Sequence, residues 1–100
     1  MDLIEIADNI TAANKCVEDK FSTQEKYIFY NDIMAKHIAD MEYDQTMILK
    51  RLLADVTNKD LTSAKIKLLW KVESMDLTRL IQLAKSVKKT LENLIYRGYK

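Results

Sequence analysis

His37 and Cys16 are the only histidine and the only cysteine of the chain, so acid–base or thiol chemistry of the usual kind would have to run through one of them. A histidine base needs a nucleophile and an orienting partner within hydrogen-bond reach, and the sequence nominates neither beside His37. It reads as a packed or edge residue. Cys16 stands beside an apolar helical stripe with no neighbour that favours its thiolate, and reads as packing. Without a second cysteine it forms no internal disulfide and no paired-cysteine zinc site, which fits a reducing, cytoplasmic setting.

Asp40, Glu42 and Asp44 gather three carboxylates, the group that holds divalent cations. On a helix their spacing spreads them around the axis, whereas a calcium loop needs a glycine and an array of about twelve residues. A di-metal centre in a helical bundle would need Glu-x-x-His pairs, which the sequence lacks. The cluster reads as a solvated face. No glycine-rich phosphate loop or dinucleotide fingerprint occurs, and no inward-facing set of arginines and lysines is placed to line a pocket. The expectation is a protein with no enzymatic activity, cofactor, metal or small-molecule substrate.

Cations make the stronger pattern. Lys67, Lys71, Lys85, Lys89 and Lys100 share a narrow sector of a C-terminal helix, flanked by Arg79, Lys88 and Arg97. Such a stripe can neutralise phosphates without reading sequence, with an affinity that falls as salt rises. Nucleic-acid binding through Lys67, Lys71, Lys85, Lys88, Lys89, Arg97 and Lys100 is accordingly the second functional expectation. A solvated lysine face is the plainer account of the same residues.

The elements that carry these residues are helical. The chain has no proline, and its one glycine is Gly98. Tight strand-joining turns usually draw on glycine, and nothing before Gly98 forces a break. With 48% apolar residues and a length of 100, the sequence reads as a single all-α domain over residues 1–100. Met1 to Glu5 shows no basic start followed by an apolar run, and no apolar stretch is long enough to span a bilayer, so no membrane association is expected. The composition, rich in Asn, Asp, Lys and Ile, resembles that of small accessory proteins of AT-rich bacteria and their viruses.

Three helices are expected, over 2–19, 23–56 and 60–97. Leu3, Ile6, Ala7, Ile10, Ala13 and Val17 give the first a single apolar side, and Asp2 can cap it. Ser22-Thr23-Gln24-Glu25 matches the capping box, with the serine oxygen taking the amide three residues on. The second helix has two apolar stripes: Tyr27, Met34, Ile38, Met41, Ile48 and Leu52 on one side, and Phe29, Ile33, Tyr43 and Met47 on another. It therefore needs two neighbours. Asn58 and Asp60 supply turn and capping chemistry before the third helix, whose seam runs Ile66, Trp70, Glu73, Leu77, Leu80, Ala84, Val87, Leu91 and Leu94.

Folding about Asn58 pairs residues whose numbers sum to roughly 118, a long antiparallel helical hairpin of coiled-coil-like register braced by the shorter N-terminal helix. The register sets Glu73 beside Gln45 as a polar layer, and His37 opposite Leu80. Ser74 or Asp76 could instead cap a new helix, but without glycine or proline there one continuous helix is the expectation. Residues 1–46 carry four basic and ten acidic side chains, a net of −6; residues 47–100 carry twelve and five, a net of +7; together they make the +1 of the whole chain. Opposite charges thus face each other across the hairpin.

The first helix is half the length of the others and cannot cover the end near the turn. Tyr43, Met47, Leu53, Leu68, Val72 and Met75 are left there without cover, and an apolar surface of that extent marks an interface. The leading expectation is a protein-interaction and self-assembly module, an adaptor, assembly factor or inhibitor. Its partners would be a second copy, a dimer being the first choice, and another protein.

Overall fold

The computed structural model describes residues 2–55 and 63–98, which are almost all helical, with no strand among them. Four helices follow in order: α1 (Leu3–Glu18), α2 (Gln24–Asp55), α3 (Ser63–Glu73) and α4 (Met75–Gly98). The Asn58 turn and its Asp60 cap lie outside the described residues, as do Tyr99 and Lys100. The molecule measures 57 × 26 × 15 Å, with a radius of gyration of 17.3 Å, well above the ~13 Å of a compact chain of this length. It is an elongated body.

α1 begins as its sequence dictates. Asp2 is extended at φ −103°, and its Oδ1 accepts the amides of Ile4 at 2.9 Å and Glu5 at 3.4 Å, satisfying two donors that the first turn leaves open. Asp2→Ala should therefore cost about 1 kcal/mol, read from urea denaturation; an unchanged midpoint would show that the cap contributes nothing.

The α1–α2 connection corrects the expected capping box by one residue. Thr23, not Ser22, caps α2, its Oγ1 accepting the Lys26 amide at 3.3 Å. Ser22 turns the other way and donates its hydroxyl to the Cys16 carbonyl at 2.7 Å, closing the end of α1. Two adjacent hydroxyls thus serve two different helices. Gln24 in the first turn of α2 donates to the Ile95 carbonyl at 2.7 Å, and the missing side chain of Gly98 leaves room for it.

A division at Ser74 replaces the expected single C-terminal helix by α3 and α4. The backbone ladder still runs through it, with Ser74 N–H donating to the Trp70 carbonyl at 2.9 Å and Thr78 N–H to the Ser74 carbonyl at 2.8 Å. The Ser74 hydroxyl, 2% exposed, also donates to the Trp70 carbonyl, at 2.6 Å. A serine that bonds back four residues competes for the same acceptor and bends a helix. The break is a bend made by one side chain.

Contacts along the helices run in opposite order: Gln24 at the start of α2 meets Ile95 late in α4, and Arg51 late in α2 meets Glu73 at the end of α3. Ile6, Ile10 and Ala13 of α1, Met34 and Met41 of α2, and Leu77, Ile81, Ala84, Val87 and Leu91 of α4 form one buried cluster. Ala13 and Ala84 are wholly buried, and small side chains there let the helices approach closely. α1 touches α2 and α4; among the described residues it does not touch α3.

Candidate functional site

Where α1 begins, the three-helix layer ends. Leu3, Ile4 and Ala7 border a hollow with Asp76, Leu80 and Leu83, so the first turns of α1 lie beside the first turns of α4. Asp2 and Glu5 likewise border Asp40 and Asp44 of α2. Past that level α3 packs on α2 alone and buries Ile66, while α2 buries Leu52. This two-helix end is the candidate site.

All six residues expected at an interface are exposed there: Tyr43 65%, Met47 44%, Leu53 50%, Leu68 62%, Val72 63% and Met75 64%. They do not form one patch. Tyr43 lies about half a turn round α2 from the buried Met41 and on the same side as Met47, and Leu53 lies about a third of a turn from Met47. Met47 borders a hollow with Asp44, Ile48 and Arg51, whereas Met75 borders a different one with Trp70, Lys71, Thr78 and Arg79. Leu68, Val72 and Met75, at steps of four and three, share one side of α3 and the start of α4. On α2 Tyr43 and Met47 share a side and Leu53 stands apart from them; the three of α3–α4 are a row.

The second apolar stripe of α2 fares unequally. Ile33 packs against the core cluster, but Phe29, Tyr43 and Met47 stay exposed. Phe29 stands edge-to-face with Tyr30, ring centroids 5.2 Å apart, and borders a hollow with Ala12, Lys15 and Cys16 of α1. Beyond the span of α1 the stripe has no helix to meet.

A polar layer crosses the helices near the expected level, with different members. Glu73 does not bond Gln45; it pairs with Arg51, whose side chain is the more exposed of the two. Gln45 instead donates its side-chain amide to Thr78 Oγ1 at 2.7 Å, and its backbone carbonyl accepts the Trp70 indole N–H at 3.0 Å. Trp70 and Thr78 stand four residues either side of Ser74, so Gln45 faces Ser74, and Glu73, about 100° further round, points elsewhere. Among the described residues, Asn31 Oδ1 is buried without a hydrogen-bond partner.

His37 reaches α1: Asn9 Nδ2 lies 2.8 Å from its Nε2, a contact that a ring protonated on Nδ1 accepts. That bond fixes the ring as a link between α1 and α2. Cys16 is buried. Among the described residues no group of three His, Cys, Asp or Glu side chains could hold a metal ion. No helix among them is long and apolar enough to cross a membrane.

The cationic stripe runs along the flank beside α2 instead of the side directly opposite the seam. Lys85 reaches Glu42 of α2 at 3.3 Å, and Lys88 pairs with Glu92 one turn on. Lys67, Lys71, Lys89 and Arg97 are exposed, with Lys67 and Lys71 on the far side of the Ser74 bend from Lys85 and Lys89. The charges lie in two groups, one of them partly neutralised. Compared with family models, curated proteins and solved structures, the chain matches none.

Proposed function

We propose that this protein is a non-enzymatic interaction and self-assembly module, in which α2 and the bent α3–α4 rod act as a coiled-coil-like hairpin that α1 braces over part of its length. The observation that carries the reading is the exposed row Leu68, Val72 and Met75 on a helix whose opposite side is already packed. A helix apolar on two sides is made for two neighbours, and α3 has one. The module acts by offering helix faces to another chain, as an adaptor, assembly factor or inhibitor does, with a homodimer as its simplest assembled form.

Sedimentation of the purified chain tests this. The parent is expected above monomer mass, and Met47→Asp or Val72→Asp, both at exposed positions, should lower that mass with far-UV helicity retained. An assembled parent whose mass survives both substitutions rejects the two-helix end as the interface.

A further inference from the structure

We infer that a second copy of the chain covers the outer side of α3 and early α4, in a parallel two-fold pairing centred on Val72. This rests on the reading of the two-helix end as an interface and names its occupant and geometry. The row Leu68, Val72, Met75 has the alternating spacing of a coiled-coil seam, and the Trp70–Ser74–Thr78 backbone ladder carries it across the bend. In heptad terms Leu68 and Met75 take d and Val72 takes a. A β-branched residue at a with leucine at d is the combination that favours two parallel strands.

The flanks agree. Leu69, Asp76 and Leu83 fall at e, and Lys71 falls at g. Leu69 and Leu83 are themselves exposed and give the seam an apolar border on one side, Leu83 together with Asp76 and Arg79 beside the hollow at the start of α1. In a parallel pair each g residue faces the e residue five positions further on in the other chain. Lys71 then meets Asp76 of the second copy, and two-fold symmetry makes the bridge twice. An antiparallel pair centred on Val72 would set each Lys71 against its own equivalent. The Lys71–Asp76 bridges therefore favour the parallel arrangement; Arg79, the next a residue, faces its own equivalent there, a polar seam position that fixes register at a cost in stability.

Sedimentation equilibrium of the full chain and its variants tests the pairing. The parent should approach dimer mass as concentration rises, and Val72→Asp should be monomeric with helicity intact. Lys71→Glu and Asp76→Lys should each weaken the dimer about tenfold at low salt, and the double variant should recover it. Leu68→Cys and Met75→Cys should each cross-link to themselves on oxidation, the native Cys16 being buried. A parent that is monomeric at every concentration overturns the pairing. So does cross-linking that occurs only when the L68C and M75C chains are mixed, which is the antiparallel result. A dimer that Met47→Asp dissolves and Val72→Asp leaves intact also overturns it, while the interaction reading stands; a dimer indifferent to both substitutions defeats that reading as well.

Discussion

Leu91→Ala is expected to lower the unfolding free energy by about 2–5 kcal/mol, because Leu91 is 0% exposed and belongs to the cluster that holds α4 to its neighbours. Deleting most of that side chain removes its transfer energy and leaves a cavity that rigid helices close only in part. Urea denaturation followed by far-UV circular dichroism reads the effect directly. The midpoint should fall while the slope with denaturant stays the same, since the surface exposed on unfolding hardly changes. A loss below about 1 kcal/mol would mean that this layer is loosely packed.

Ala13→Asp should be harsher still. Ala13 is 0% exposed in the middle of the buried side of α1, where an added carboxylate would leave water for a site lined by Ile6, Ile10 and the apolar residues of α2 and α4. An unpaired buried ion costs on the order of several kcal/mol, comparable to the whole stability of a domain this small. Either the chain unfolds, or α1 detaches and leaves α2 and α4 to pair alone. Limited proteolysis separates these outcomes, because a detached α1 is cut in the Asp19–Thr23 connection while fragments containing α2 and α4 persist. A variant as stable and as resistant as the parent would show that α1 is not docked as described.

The all-helical fold was legible because the signals for it are local. The stripe from Leu3 to Val17, the Asp2 cap and the absence of proline each act within a few residues, and each leads to the helix observed. What escaped the sequence depended on competition between neighbours. Ser22 and Thr23 are both good caps, and which one caps α2 is decided by whether the other hydroxyl can reach the Cys16 carbonyl. Ser74 was visible as a possible helix start; that its hydroxyl would bend a continuing ladder depends on burial against α2. The polar layer at Gln45 was expected to include Glu73, but Gln45 bonds Trp70 and Thr78, four residues either side of Ser74, and Glu73, about 100° round from Ser74, is turned to Arg51.

Of the candidate site, the exposure of Tyr43, Met47, Leu53, Leu68, Val72 and Met75 was legible from a simple comparison of helix lengths. Their division between separate hollows, Met47 on one and Met75 on another, was not, because it depends on which sides the two helices turn to each other. The lysine stripe shows the same limit. Its periodicity was plain in the sequence, but the pairing of Lys85 with Glu42 required the position of α2.

Because α1 begins level with α4 and leaves α3 leaning on α2 alone, rigidity is distributed unevenly along the 57 Å body. The thick end is clamped by residues such as Ile10, Met34 and Leu91, whereas among the described residues the thin end buries Leu52 and Ile66 and adds the Trp70–Gln45 bond and the Arg51–Glu73 pair. Local opening follows the number of buried apolar contacts, so α3 can tilt or breathe while the rest stays locked. A chain that grips α3 would stiffen the segment that is free to yield without disturbing the remainder of the fold.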